Sequence, residues 1–192
     1  MRKIILALLV LITYSAVAQN SVVERPDSLT TVVRNVSVPK TEWLSPFTKV
    51  VVDGPINITF KRVDTEEGLK IVYDTKGNIS SRFRAGVDKN GVLQIMERVD
   101  SKQAVIPTEV TLWFKSLDNI SISRATAVFE DAVEQKVMDI YIKAGANVTM
   151  DIDALDALVE CTGKSRLKIG GKARYFKLDI STAKMEGIAL QT

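Results

Sequence analysis

From Asn119 onward the chain repeats itself, and that repeat constrains the fold more than any other feature. Ser123, Lys143, Thr162 and Ser181 stand 20, 19 and 19 residues apart. One residue before each come Ile122, Ile142, Cys161 and Ile180, and three before come Ile120, Ile140, Val159 and Leu178. Five residues after come Val128, Val148 and Leu167, with Glu186 out of pattern. Apolar residues two apart mark a strand with one buried face. Two such strands in each unit of roughly 20 residues make the size of a β-solenoid rung, whose inward side chains stack on those of the next rung. Between the apolar pairs sit Ala125-Thr126, Gly145-Ala146, Gly163-Lys164 and Thr182-Ala183. The expectation is that corners stack on corners there and stay thin, which favours glycine and small side chains. The alternative is a β-sandwich whose strands recur at similar spacing.

Earlier segments also read as strands, among them "INITFKRV", "LKIVYD", "VLQIMERV" and "VTLWFK", separated by turn signals such as Asp53-Gly54-Pro55 and Lys89-Asn90-Gly91. Helical spacing is faint, around Glu130–Met138 and Ile152–Val159, and too short to carry a helix. The chain is therefore all-β. "VVVDGPINITF" repeats the later signature once, but Asp53 stands 70 residues before Ser123, more than three repeats. Either the early rungs have drifted, or hairpins between about Leu69 and Val99 are inserted among them.

The N-terminus carries Arg2 and Lys3, an apolar run over Ile4 to Val17, and Ala16-Val17-Ala18 before Gln19. This is the pattern of a secretory signal peptide over residues 1–18, cut between Ala18 and Gln19. The run is short for a membrane anchor, and no cysteine follows it to carry a lipid. Residues 19–42 read as a tether or loosely held strand, and 43–192 as the folded domain. Removing the signal leaves 24 of the 26 basic residues against 23 acidic ones, a net charge of +1. Such a balance gives no basic face for nucleic acid. With no histidine and one cysteine, a histidine-based triad, a Cys/His zinc site and an internal disulfide are excluded.

A cut before glutamine, "FTKVVVDGPINITF", "VLQIMERV" and repeated "IxIxxAxxxV" units together resemble the exported Bacteroidetes family called "putative auto-transporter adhesin, head GIN domain". The resemblance covers about Phe47 to Thr192. It implies a β-solenoid-like fold and export to the envelope, in the periplasm, at the outer-membrane surface or outside the cell. It brings no catalytic residues with it. The chain departs from the family's Ser-Gly-Ala corners.

Candidate functional residues are few. Asp151, Asp153 and Asp156 form the sharpest carboxylate cluster and a candidate calcium site, though no glycine-bearing calcium loop accompanies them; solvated strand-end carboxylates are the simpler reading. Trp43 and Trp113 are candidates for stacking a ligand, with core packing as the alternative. Ser28, in Asp27-Ser28-Leu29, matches a Bacteroidetes O-glycosylation acceptor. Five Asn-x-Ser/Thr triplets, including those at Asn57 and Asn147, read as turn asparagines beside strand hydroxyls. Cys161 fills a slot otherwise held by isoleucine, so it should be buried and inert. The pattern points to a non-enzymatic envelope protein for binding, adhesion or surface structure, with no cofactor. Its expected partners are a glycan, another surface protein, or a second copy joined through the edge at Met185–Leu190. The alternative function is a carbohydrate-active β-helix enzyme using paired carboxylates.

Overall fold

The computed structural model describes residues 37–78, 82–99 and 106–191; the signal cleavage site at Ala18 and Gln19, and Ser28, lie outside them. Period-two alternation becomes strand, with a 3₁₀ turn at Glu66–Gly68 and no α-helix among the described residues. The strands form one curled sheet of thirteen members, most of them parallel.

One half of the sheet stacks β6 (Val92–Glu97), β2 (Lys49–Asp53), β8 (Asn119–Ser123) and the later part of β10 (Val133–Lys143), in that order. Their inward residues form two ladders. Leu93, Val50, Ile120 and Ile140 make one; Ile95, Val52, Ile122 and Ile142 make the other. The other half stacks β7 (Thr108–Phe114), β3 (Ile56–Arg62), β9 (Thr126–Phe129) and the start of β11 (Asn147–Thr162). Val110, Ile58, Ala127 and Val148 run through it. Both halves bury these ladders in one apolar core. Inside it Phe60 stacks on Phe129 with ring centres 4.0 Å apart, and Phe114 meets both edge-on.

β11 and β12 (Arg166–Ser181) are long because each bends and serves both halves. The bend falls where two consecutive residues face outward: Lys136-Val137, Leu155-Asp156 and Arg174-Tyr175. Two outward residues in a row break the alternation, which explains the false trace of helical spacing there. β13 (Lys184–Gln191) pairs with β12 over Arg166–Lys172.

At the other bend the backbone turns left-handed. Arg124, Ala144, Lys164 and Thr182 have φ of 58, 53, 64 and 54°, each a cost of order 1–2 kcal/mol for a non-glycine residue. The expectation that these corners must be thin needs correction. A Cβ on Gly145 would meet nothing within 4 Å, so its φ of +83°, not lack of room, calls for glycine. At Gly163 both apply, since a Cβ would lie 2.9 Å from the Ala144 nitrogen of the adjacent corner. Corners are tied to one another: buried Ser165 donates to the Thr162 carbonyl (2.6 Å) and accepts from the Gly145 N–H (3.1 Å). Arg124 grips Asp53 with two hydrogen bonds of 2.8 and 2.7 Å.

The 70-residue gap has a topological cause. Among the parallel strands β2 and β3 come first in sequence, yet they lie inside the stack. β6 and β7 are made later and pair on their outer side. The end is then closed by antiparallel strands: β5 (Phe83–Val87) on β6, and β4 (Lys70–Asp74) on β7 with β1 (Lys40–Trp43) beyond it. β6 and β7 thus pair in parallel with β2 and β3, while β4 and β5, which lie between β3 and β7 in sequence, pair antiparallel with β7 and β6. β1 lies astride the boundary expected between tether and domain.

Candidate functional site

The outermost strands of the closed end place two tryptophans on one outward row. Trp43 is opposite Lys70, and Lys70 opposite Trp113. Lys70 and Trp113 face out because Ile71 and Leu112, next to them in sequence, face in and are fully buried; Trp43 shares their row by its pairing with Lys70. Trp43 keeps 69% of its surface exposed, and Trp113 is half-buried. The Lys70 ammonium lies 4.6 Å from the Trp113 ring centre and 5.6 Å from that of Trp43. Each such contact is worth about 0.5–1 kcal/mol at an exposed site. Beyond Trp113 the row continues to Lys61, which pairs with Glu130 at 3.1 Å. Lys70 has no carboxylate partner among the described residues. Tyr73 fastens β1 to β4 by donating to Glu42 (2.7 Å); burial and this bond push its phenol up to about 12.

A second outward row runs beside the first: Thr41, Val72, Thr111, Thr59, Val128 and Thr149. A third places Glu109, Asn57, Thr126 and Asn147 side by side. Asn57 donates to Glu109 at 3.0 Å. The triplets at Asn57 and Asn147 are thus strand residues on one outward face rather than turn residues, which corrects the sequence reading. Asn119 likewise opens β8.

Asp151 and Asp153 project from the outer face of β11, while Asp156 lies at the bend. No group of three potential metal ligands comes together among the described residues. Three parallel strands instead form a groove of about 520 Å³ at the bend, with Met138, Ala157, Leu158 and Phe176 giving it an apolar lining. Asp139, Asp156, Arg174 and Lys177 are its charged groups, and exposed Val137 and Tyr175 flank it. The Arg62 guanidinium meets Glu134 at 2.5 Å, and the Arg62 backbone N–H donates to the Asp131 carboxylate at 2.9 Å.

Glu97 is a buried carboxyl at the end of β6, 4% exposed. Burial pushes it upward; Thr108, Asn78 and the charge of Arg82 offset part of that push. Asn78 donates to its Oε1 at 3.3 Å, while Glu97 Oε2 and Thr108 Oγ1 are buried with no well-formed hydrogen bond among the described residues. The sequence singled out the two tryptophans but neither Lys70 nor Glu97. Lys70 earns its place through antiparallel neighbours in the closed end, and Glu97 through the corner at Gly54, where a Cβ would lie 2.5 Å from the Glu97 carbonyl oxygen. Neither has a local signature.

No curated protein matches the sequence. Among solved structures, a "putative adhesin" from Bacteroides fragilis is 12% identical with a TM-score of 0.50, covering 82% of this chain and 98% of that one. A "putative lipid binding protein" from Parabacteroides distasonis is 12% identical with a TM-score of 0.56, and the alignment covers 78% of this chain and 62% of that one. At this identity the likeness is one of fold. The family model described as "Putative auto-transporter adhesin, head GIN domain" matches residues 46–192, and the chain belongs to that family.

Proposed function

We propose that the protein is an exported, non-enzymatic binding module of the cell envelope that holds a glycan against the Trp43–Lys70–Trp113 row. The observation that carries this is the pair of indoles in register on an outward face. Aromatic faces suit the CH faces of sugars, and two on one rigid sheet need no ordering on binding. The adhesin and lipid-binding descriptions of its structural neighbours also concern binding. Export rests on the N-terminal pattern ending at Ala18, with Gln19 as the first mature residue. We read the parallel stack as a short β-solenoid. Its support is the step between paired residues: 20 from Asn119 to Asp139, 19 from Asp139 to Leu158, and 19 from Asn147 to Arg166.

The test is a glycan screen on the chain from Gln19, with Trp43→Ala/Trp113→Ala beside it. Retention of a glycan by the first and not by the second is the expected result. A double variant that binds as well as the parent removes this reading.

The groove at the bend favours a second reading. Asp156 lies opposite Val137, two residues from Asp139, so the two carboxylates are diagonal neighbours on adjacent strands with Tyr175 beside them. A pair of carboxylates flanking a groove is the arrangement that glycoside hydrolysis uses. Release of reducing ends from a polysaccharide panel, lost in Asp139→Asn or Asp156→Asn, would establish hydrolysis. Binding without release leaves the module reading.

A further inference from the structure

We propose that the Trp43–Lys70–Trp113 row selects an extended polysaccharide bearing a carboxylate on every second sugar, lying across the strands. This rests on the glycan reading above and adds the class of glycan.

Adjacent strands are about 4.8 Å apart, so the two tryptophans, two strands apart, stand roughly 10 Å from each other along the row. One sugar of an extended polysaccharide is close to one strand spacing in length. A chain laid along the row therefore brings sugars one and three to the indole surfaces that the Lys70 ammonium leaves open, and sugar two over Lys70. Aromatic rings accept the uncharged CH faces of the outer sugars. The ammonium between them favours a negative group on the middle one.

Lys70 is suited to this by what it lacks. Lys61 and Lys115, on the same outer surface, are paired with Glu130 and Glu66 at 3.1 and 3.4 Å. Lys70 lies between the two rings with no carboxylate partner among the described residues. Held between the rings, it loses little freedom when an anion arrives. The hydroxyls of Thr41 and Thr111, one row over, flank the same track and can meet sugar hydroxyls.

The experiment titrates the chain from Gln19 with two octasaccharides, hyaluronan (uronate on alternate sugars) and chitin (neutral), following indole fluorescence. Hyaluronan should bind more tightly, with the preference shrinking as salt rises. Lys70→Gln should lose about three- to fivefold on hyaluronan and nothing on chitin, the scale of one exposed ion pair. Lys70→Arg should keep the preference. Trp113→Ala should weaken both by about tenfold. Equal binding of the two octasaccharides by the parent overturns the proposal, as does a preference that survives Lys70→Gln; in both cases the glycan reading stands. Binding of neither octasaccharide, together with an empty glycan screen, overturns both.

Discussion

At the residue scale, Cys161 shows how far a ladder position determines a side chain. It pairs with Ile142 on one side and Ile180 on the other, it is 1% exposed, and burial pushes its thiol up. Cys161→Val should change stability by less than about 1 kcal/mol. Cys161→Asp should cost about 3 kcal/mol or more, the scale of an unpaired buried charge. Denaturant melts check both, and the native thiol should resist alkylation. This slot was legible because the repeat aligns it with isoleucines. Glu97 was not legible, because its surroundings, the corner at Gly54 with Asn78 and Thr108, come together only in the fold. Its raised value has a definite sign. A carboxyl raised on folding contributes stability that is full below the ordinary glutamate range, near 4.3. That contribution is lost as pH climbs through the folded value. Glu97→Gln removes the charge, and its amide N–H can donate to Thr108 Oγ1. Thermal melts should show the variant ahead of the parent at pH 7 and the gap closing toward pH 4. A gap constant over that range would mean that Glu97 does not titrate there.

At the element scale, corners and bends divide the work of turning the chain. The sequence marked the corner at Gly145 correctly but for the wrong reason, since its conformation and not its crowding calls for glycine. Crowding is acute at Gly171, where a Cβ would lie 2.0 Å from the Ile152 carbonyl oxygen and φ is +106°. Gly145→Ala should therefore cost only the left-handed backbone penalty, of order 1–2 kcal/mol. Gly171→Ala should cost substantially more, because it also forces β11 and β12 apart. Parallel thermal melts decide this; equal losses would mean that backbone conformation alone governs both positions. The bends at Lys136-Val137 and Leu155-Asp156 escaped the sequence because they carry no glycine or proline, only a change of phase in the alternation.

At the scale of the whole molecule, the later strands were legible because each pairs with a segment 19 or 20 residues on; the spacing misplaced Val128, since Ala127 takes the buried position beside Val148 and Val128 faces out. The early part was not, because neighbours in space are there out of order in sequence. The far end of the stack is less well covered than its middle. Among the described residues Tyr175–Ser181 of β12 has no strand on its outer side, and Ile180 is 47% exposed where Ile142 and Cys161 in the same ladder are buried. Together with the free side of β13, this edge is a template for another strand. We expect concentration-dependent self-association by light scattering, weakened by Ala189→Pro; a strict monomer at high concentration would refute it. The interleaved order at the other end has a mechanical side. A pull on the segment before β1 first peels that antiparallel edge. The load then passes to β2 and β3, each gripped by parallel neighbours on both flanks. Drawing them out means shearing two interfaces at once, so the chain works like a rope whose inner turns are pinned under later ones, yielding a little under tension and then holding.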